Sequence, residues 1–155
     1  MRPMQLSPNF SLSQLVYSET AEKSGIDNTP PPEIVENLRR LAEGLETVRT
    51  LLGAPLEISS GYRCAALNEA VGGSSASQHL QGLAVDFDCP AFGTPLEIAR
   101  AIQGSGLEFD QCILEYGRWV HLSFSDAPRR RLLTIYDEKE GYLAGLLDEQ
   151  GGPIA

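Results

Sequence analysis

Between Glu33 and Leu52, apolar residues recur at Ile34, Leu38, Leu41, Leu45, Val48 and Leu52, in alternating steps of four and three. That rhythm gathers them on one stripe of an amphipathic helix, which Gly53 and Pro55 end. Upstream, "SLSQLVYSE" predicts a short helix capped by Ser11, and the three prolines of "SGIDNTPPP" predict a loop. "PLEISS" reads as a strand running into the turn "GYR", and "CAALNEAVGG" as a brief helix closed by Gly72 and Gly73. The period then drops to two. In "GLAVDFD", Leu83, Val85 and Phe87 fall on one face and Ala84, Asp86 and Asp88 on the other. Thr94 or Pro95 opens a helix, "PLEIARAIQ", that stops at Gly104 and Gly106. "FDQCILEY" and "WVHLSF" pair as a hairpin around Gly117, and "RLLTIYDE" is a last strand before a weakly structured tail.

This order predicts an α+β fold: a mainly antiparallel sheet with helices packed on one face and the other face left for function. At 155 residues the chain reads as one domain, 1–155, with its core in about residues 30–137 and a peripheral leader and tail. A monomer is the simplest expectation. Hydrophobic residues make up 42% of the chain, yet no run approaches the roughly 18 apolar residues of a membrane helix. The first residues show no apolar signal region, so synthesis in the cytoplasm is expected, with any work outside the cell needing another agent for export. A net charge of -9 speaks against nucleic acid, since phosphate binding needs lysine and arginine in excess. The one basic run, Arg129 to Arg131, reads as a solvated turn. Cys64, Cys89 and Cys112 form no CxxC pair and no even set, so they read as small buried or half-buried thiols rather than disulfides or metal ligands.

Within this pattern, Asp86 is the costly residue, a carboxylate inside an apolar strand. His79 precedes it by seven positions, and His121 is the only other histidine. On "WVHLSF", His121 shares a face with Trp119 and Ser123, opposite Val120, Leu122 and Phe124. Two separate strands thus each turn a ligand type away from their aliphatic side. Two imidazoles and a carboxylate suit Zn²⁺, with a fourth position left for water; they suit Ca²⁺, which seeks oxygen, poorly.

"SGYR" at 60–63, Asn68, "VGG" at 71–73, "SQHLQGLAVD" at 77–86 and "WVH" at 119–121 resemble the zinc D-Ala-D-Ala carboxypeptidase family. That family includes D-alanyl-D-alanine dipeptidases and phage peptidoglycan endopeptidases of the endolysin kind, and its fold is shared by the hedgehog signalling domain. The resemblance implies one Zn²⁺ per chain held by His79, Asp86 and His121. It implies that Arg63 polarises the scissile carbonyl or its oxyanion, and that Ser77 and Trp119 contact substrate, with Ser77 alternatively orienting a ligand. The implied reaction is hydrolysis of an amide in a peptidoglycan stem peptide by zinc-activated water.

The pattern departs from the family at the base. Many members carry Glu or Asp three residues before the last histidine, where this chain has Arg118. The nearest carboxylate is Glu115, six residues before His121, as in a shorter, phage-associated branch of the family. If the hairpin loop is Tyr116, Gly117 and Arg118, Glu115 faces Trp119, Ile113 faces His121, and all four share a face. A two-residue loop turns Glu115 away. Asp88 is the second choice of base. The alternative function is a zinc-containing binding or structural module without catalysis, which Arg118 favours. An acidic chain also matches anionic wall polymers poorly, which suggests a small or soluble substrate or delivery by a larger assembly.

Overall fold

The computed structural model describes residues 4–148 and residue 152. In chain order the elements are β1 (Gln5–Ser7), β2 (Phe10–Ser11), α1 (Leu12–Val16), α2 (Glu19–Ser24), α3 (Pro32–Leu52), β3 (Glu57–Ser60), α4 (Ala65–Ala70), a single 3₁₀ turn (Gln78–Gln81), β4 (Ala84–Asp88), α5 (Pro95–Gln103), β5 (Gln111–Glu115), β6 (Trp119–Ser123), β7 (Arg131–Ile135) and β8 (Leu143–Ala144). None of these helices is long and apolar enough to cross a membrane. The chain divides into two compact units, Met1–Thr47 with Ile58–Val85, and Val48–Glu57 with Asp86–Ala155.

In the first unit, α3 buries Leu38, Leu41, Ala42 and Leu45, the stripe its four-three spacing predicts. The leader is tied to this helix, because the carboxylate of Glu46 accepts from Ser7 Oγ, Asn9 N and Asn9 Nδ2, each at 2.6 Å. Leu6, Phe10 and Leu15 are buried, so residues before 30 contribute apolar interior. Ser11 caps α1 in a capping box with Gln14, as its sequence predicts. Helix α2 leaves no periodic signature in the sequence, since its six residues bury only Ala21 and carry no apolar stripe. In the proline loop, Asn28 is buried and stitches three segments: Nδ2 donates to the carbonyls of Val16 at 2.8 Å and Tyr62 at 3.0 Å, and Oδ1 accepts from Cys64 N at 2.8 Å.

In the second unit the strand order is β4-β6-β5-β7-β8 and the sheet is mixed, which corrects the mainly antiparallel expectation. Within the second unit, β5 pairs antiparallel with β6 on one side and parallel with β7 on the other. Consecutive strands pair as neighbours by default, but residues 124–130 carry the chain past β5, so β7 aligns with β5 rather than extending a meander. β8 then adds antiparallel to β7 from within the expected tail, and Leu146 beyond it is buried. Helix α5 lies against β5 and β6 with Ile98, Ala99 and Ile102 buried. The basic run is not merely solvated. Arg129 donates from Nε and Nη2 to the buried carboxylate of Asp110 at 2.8 and 2.7 Å, and Arg130 stacks over the Phe109 ring at 4.9 Å. All three cysteines are free; Cys89 and Cys112 are buried, and burial pushes the Cys112 thiol up to about 12, so it is inert at neutral pH.

Thr94 starts α5 with a capping box: Thr94 Oγ1 accepts from Glu97 N at 3.2 Å, and Glu97 Oε1 accepts from Thr94 N at 3.1 Å. Hydrogen bonds from the Thr94 backbone and then its hydroxyl hold the Glu97 carboxyl below the usual range. A folded value below the unfolded one stabilises at higher pH, and the contribution fades as pH falls through the ordinary glutamate range and then the lowered value. Thr94→Ala is expected to cost about 1 kcal/mol at pH 7, with a smaller difference at pH 3, read from urea unfolding at both pH values.

Candidate metal centre

The first unit supplies His79 and Arg63, and its main chain aims both. At the end of β3, Gly61 has no room for a side chain, because a Cβ there would strike the carbonyl oxygen of Leu15. That oxygen accepts from Tyr62 N at 2.7 Å, and the Gly61 carbonyl lies 2.7 Å from His79 Nδ1. A carbonyl only accepts, so Nδ1 of this buried ring carries the proton, which makes Nε2 the ring atom of the ligand type. Ser77 Oγ accepts from His79 N at 3.2 Å and caps the 3₁₀ turn, and Gly82, at φ 71°, ends it. Ser77 therefore orients the turn that carries His79.

Arg63 is laced to the same turn, its N–H donating to the His79 carbonyl at 3.1 Å. Its Nε donates to Ser60 Oγ at 3.2 Å and its Nη1 to Asn68 Oδ1 at 3.3 Å. Asn68 is itself buried and donates from Nδ2 to Ser74 O at 2.9 Å. A Cβ on Gly73 would collide with Asn68 Oδ1 and come within 3.0 Å of Arg63 Nη1. The separate pieces "SGYR", Asn68 and "VGG" are thus one device that holds a guanidinium. The sequence alone assigns no role to Asn68 or Gly61, since a hydrogen bond to a carbonyl leaves no mark in residue types.

The second unit supplies Asp86 and His121. Asp86 sits in β4, which is buried on both faces except at Asp88, and the residue is 7% exposed. Its Oδ1 lies 2.9 Å from His121 Nδ1. Two electron-rich atoms at that distance need a proton or a cation between them. Asp88 is turned elsewhere, its Oδ1 accepting from Cys89 N at 2.8 Å.

The β5–β6 register pairs Ile113 with His121 and Glu115 with Trp119, so the loop is the three-residue one, Tyr116, Gly117 and Arg118. Glu115, Trp119 and His121 therefore share a face. Trp119 Nε1 donates to Glu115 Oε1 at 2.8 Å, so the indole holds this carboxylate in place. The parallel partner adds Leu133 and Ile135 beside Ile113 and Glu115, forming a small apolar cluster packed by Tyr116.

His79, Asp86 and His121 are, among the described residues, the ligand types that could hold a metal ion. Tetrahedral zinc with bonds of about 2.0–2.1 Å sets its ligands roughly 3.3 Å apart. The 2.9 Å pair is near that spacing, and the donor set of two imidazoles and one carboxylate is that of a zinc site with a position open for water. The residues present fit the metal.

An α+β chain with such a site has the make-up of a metallohydrolase. The Peptidase M15 family matches residues 8–123, three quarters of the chain, and the protein belongs to that family of zinc-dependent peptidases. The match bears out the resemblance seen in the motifs and takes in every candidate site residue, ending with β6. No curated protein matches the chain.

Gly73→Ala is expected to push Asn68 aside and free Arg63. On the Arg63 role that the family resemblance implies, activity on a peptide substrate should fall at least tenfold, while metal content measured by atomic emission stays at the wild-type level.

Proposed function

We propose that this protein is a zinc peptidase that hydrolyses an amide in the peptide stems of peptidoglycan, with His79, Asp86 and His121 as the metal ligands. The observation that carries the reading is the strand face shared by Glu115, Trp119 and His121, because it sets a carboxylate beside a ligand pair. As a diagonal neighbour across the hairpin, Glu115 is about 7–8 Å from His121 between backbones, a spacing that a side chain and one water bridge. The D-Ala-D-Ala resemblance supports the choice of stem peptide among peptide substrates.

When bound, zinc supplies Lewis acidity that polarises the amide carbonyl and makes a water acidic enough to attack near neutral pH. Glu115 takes the proton from the attacking water and returns it to the leaving amine. Trp119 keeps the accepting oxygen in place through its indole N–H. Ser60 and Asn68 fix the direction of the Arg63 guanidinium, so it meets the negative charge that develops on the carbonyl oxygen. Delivery to a cell wall, after synthesis in the cytoplasm, is part of the same proposal.

Arg118 supports a second reading, a zinc-holding module without catalysis, because it occupies the place where many family members carry the base. Glu115→Gln separates the two. On the peptidase reading it lowers kcat about 10²–10⁴-fold while zinc stays bound; a wild type that holds zinc yet releases no amine from stem peptides sustains the module. Chelation should abolish hydrolysis and added Zn²⁺ restore it, followed by amine release. Asp86→Asn should lose both metal and activity, read by metal analysis.

A further inference from the structure

A polar groove of about 580 Å³ is lined by Tyr116, Arg118, Trp119, Tyr136, Asp137 and Glu140, and the indole of Trp119 that lines it donates to Glu115. Its walls are aromatic: the Tyr116 and Trp119 rings are 5.6 Å apart and tilted, and Tyr136 is fixed by its hydroxyl donating to Leu147 O at 3.1 Å. Its charges are of both signs. Among the described residues the guanidinium of Arg118 has no ion-pair partner, and Asp137 and Glu140 supply carboxylates. Tyr116 registers the negative side, its hydroxyl pushed up first by desolvation and then by Glu138, Glu115 and Asp137. Placement of these groups is built in, since Tyr116 adopts φ 57° and its N–H donates to the Ile135 carbonyl at 2.7 Å.

We infer that this groove is a specificity subsite for a substrate residue whose side chain ends in both an ammonium and a carboxylate. Arg118 takes the carboxylate, Asp137 and Glu140 take the ammonium, and the aromatic walls hold the aliphatic stem between them. The groove rests on the peptidase reading for its place next to the scissile bond. It also explains Arg118, which stands at the position of the missing acid and selects substrate instead of moving a proton. A side chain with an ammonium alone satisfies the acidic rim and leaves Arg118 without its anion, so selectivity follows from one missing charge.

The test compares two stem peptides that differ only in the third residue, diaminopimelate with its free ammonium and carboxylate, or lysine with the ammonium alone. The expected result is that wild type prefers the first by about tenfold or more in kcat/KM, mostly through KM. Arg118→Gln should reduce that ratio to near one with zinc content unchanged, and raising salt should shrink it as well. Equal kcat/KM for the two peptides in wild type, or an unchanged ratio in Arg118→Gln, overturns the proposal. Trp119 is the chain's one tryptophan, so its fluorescence reports occupancy of the groove without any catalysis. If neither peptide is cleaved but the diaminopimelate peptide perturbs that fluorescence at least tenfold more tightly than the lysine peptide, the subsite stands and the peptidase reading falls. If neither peptide is cleaved and both bind alike, or neither binds, the subsite is overturned too.

Discussion

Three residues, Tyr116, Gly117 and Arg118, turn the chain between β5 and β6, and that count decides which side chains meet. With it, Ile113 faces His121 and Glu115 faces Trp119. One residue fewer would carry Glu115 to the opposite face, because strand side chains alternate with period two. Tyr116 at φ 57° and Gly117 at φ 65° both lie in the left-handed region. Glycine adopts it freely, whereas Tyr116 is held there by its bond to Ile135 and by packing on Ile113, Leu133 and Ile135. The parallel strand β7 therefore does more than widen the sheet, since it supplies both the acceptor and the apolar seat that keep the turn in register.

Two kinds of order aim the candidate residues. His79 and Arg63 are aimed by main-chain carbonyls, by a buried asparagine and by glycines with no space for a Cβ. Asp86 and Glu115 are aimed by side chains, an imidazole in one case and an indole in the other. In both, the burial that makes a polar group costly also removes the water that would compete for it, so each partner narrows the directions a functional atom can take.

Much of this was legible in the residues. The four-three spacing of α3, the Thr94 cap of α5 and the alternation around His121 are local patterns, and each appears in the structure as its period requires. The three-residue loop could be posed as one of two cases, but Glu115 was placed only by the register itself. The parallel β7, the strand β8 and the α2 helix escaped, because strand order is set by long-range pairing and short elements bury too little to leave a periodic trace. Asn28 and Asn68 escaped for another reason. Asn28 bridges backbone groups far apart in sequence and Asn68 ties the Arg63 guanidinium to the Ser74 carbonyl, and an asparagine reads the same in sequence whether it bridges or faces water.

The contact from His79 to the Gly61 carbonyl carries a consequence for how such a site changes over generations. An acceptor belonging to the main chain is present whatever residue is encoded, so no exchange of one side chain for another deletes it outright. What mutation can alter is its position, and there the tolerance is narrow, since Leu15 closes the space beside Gly61. The protonation state of the imidazole is thereby inherited with the path of the backbone.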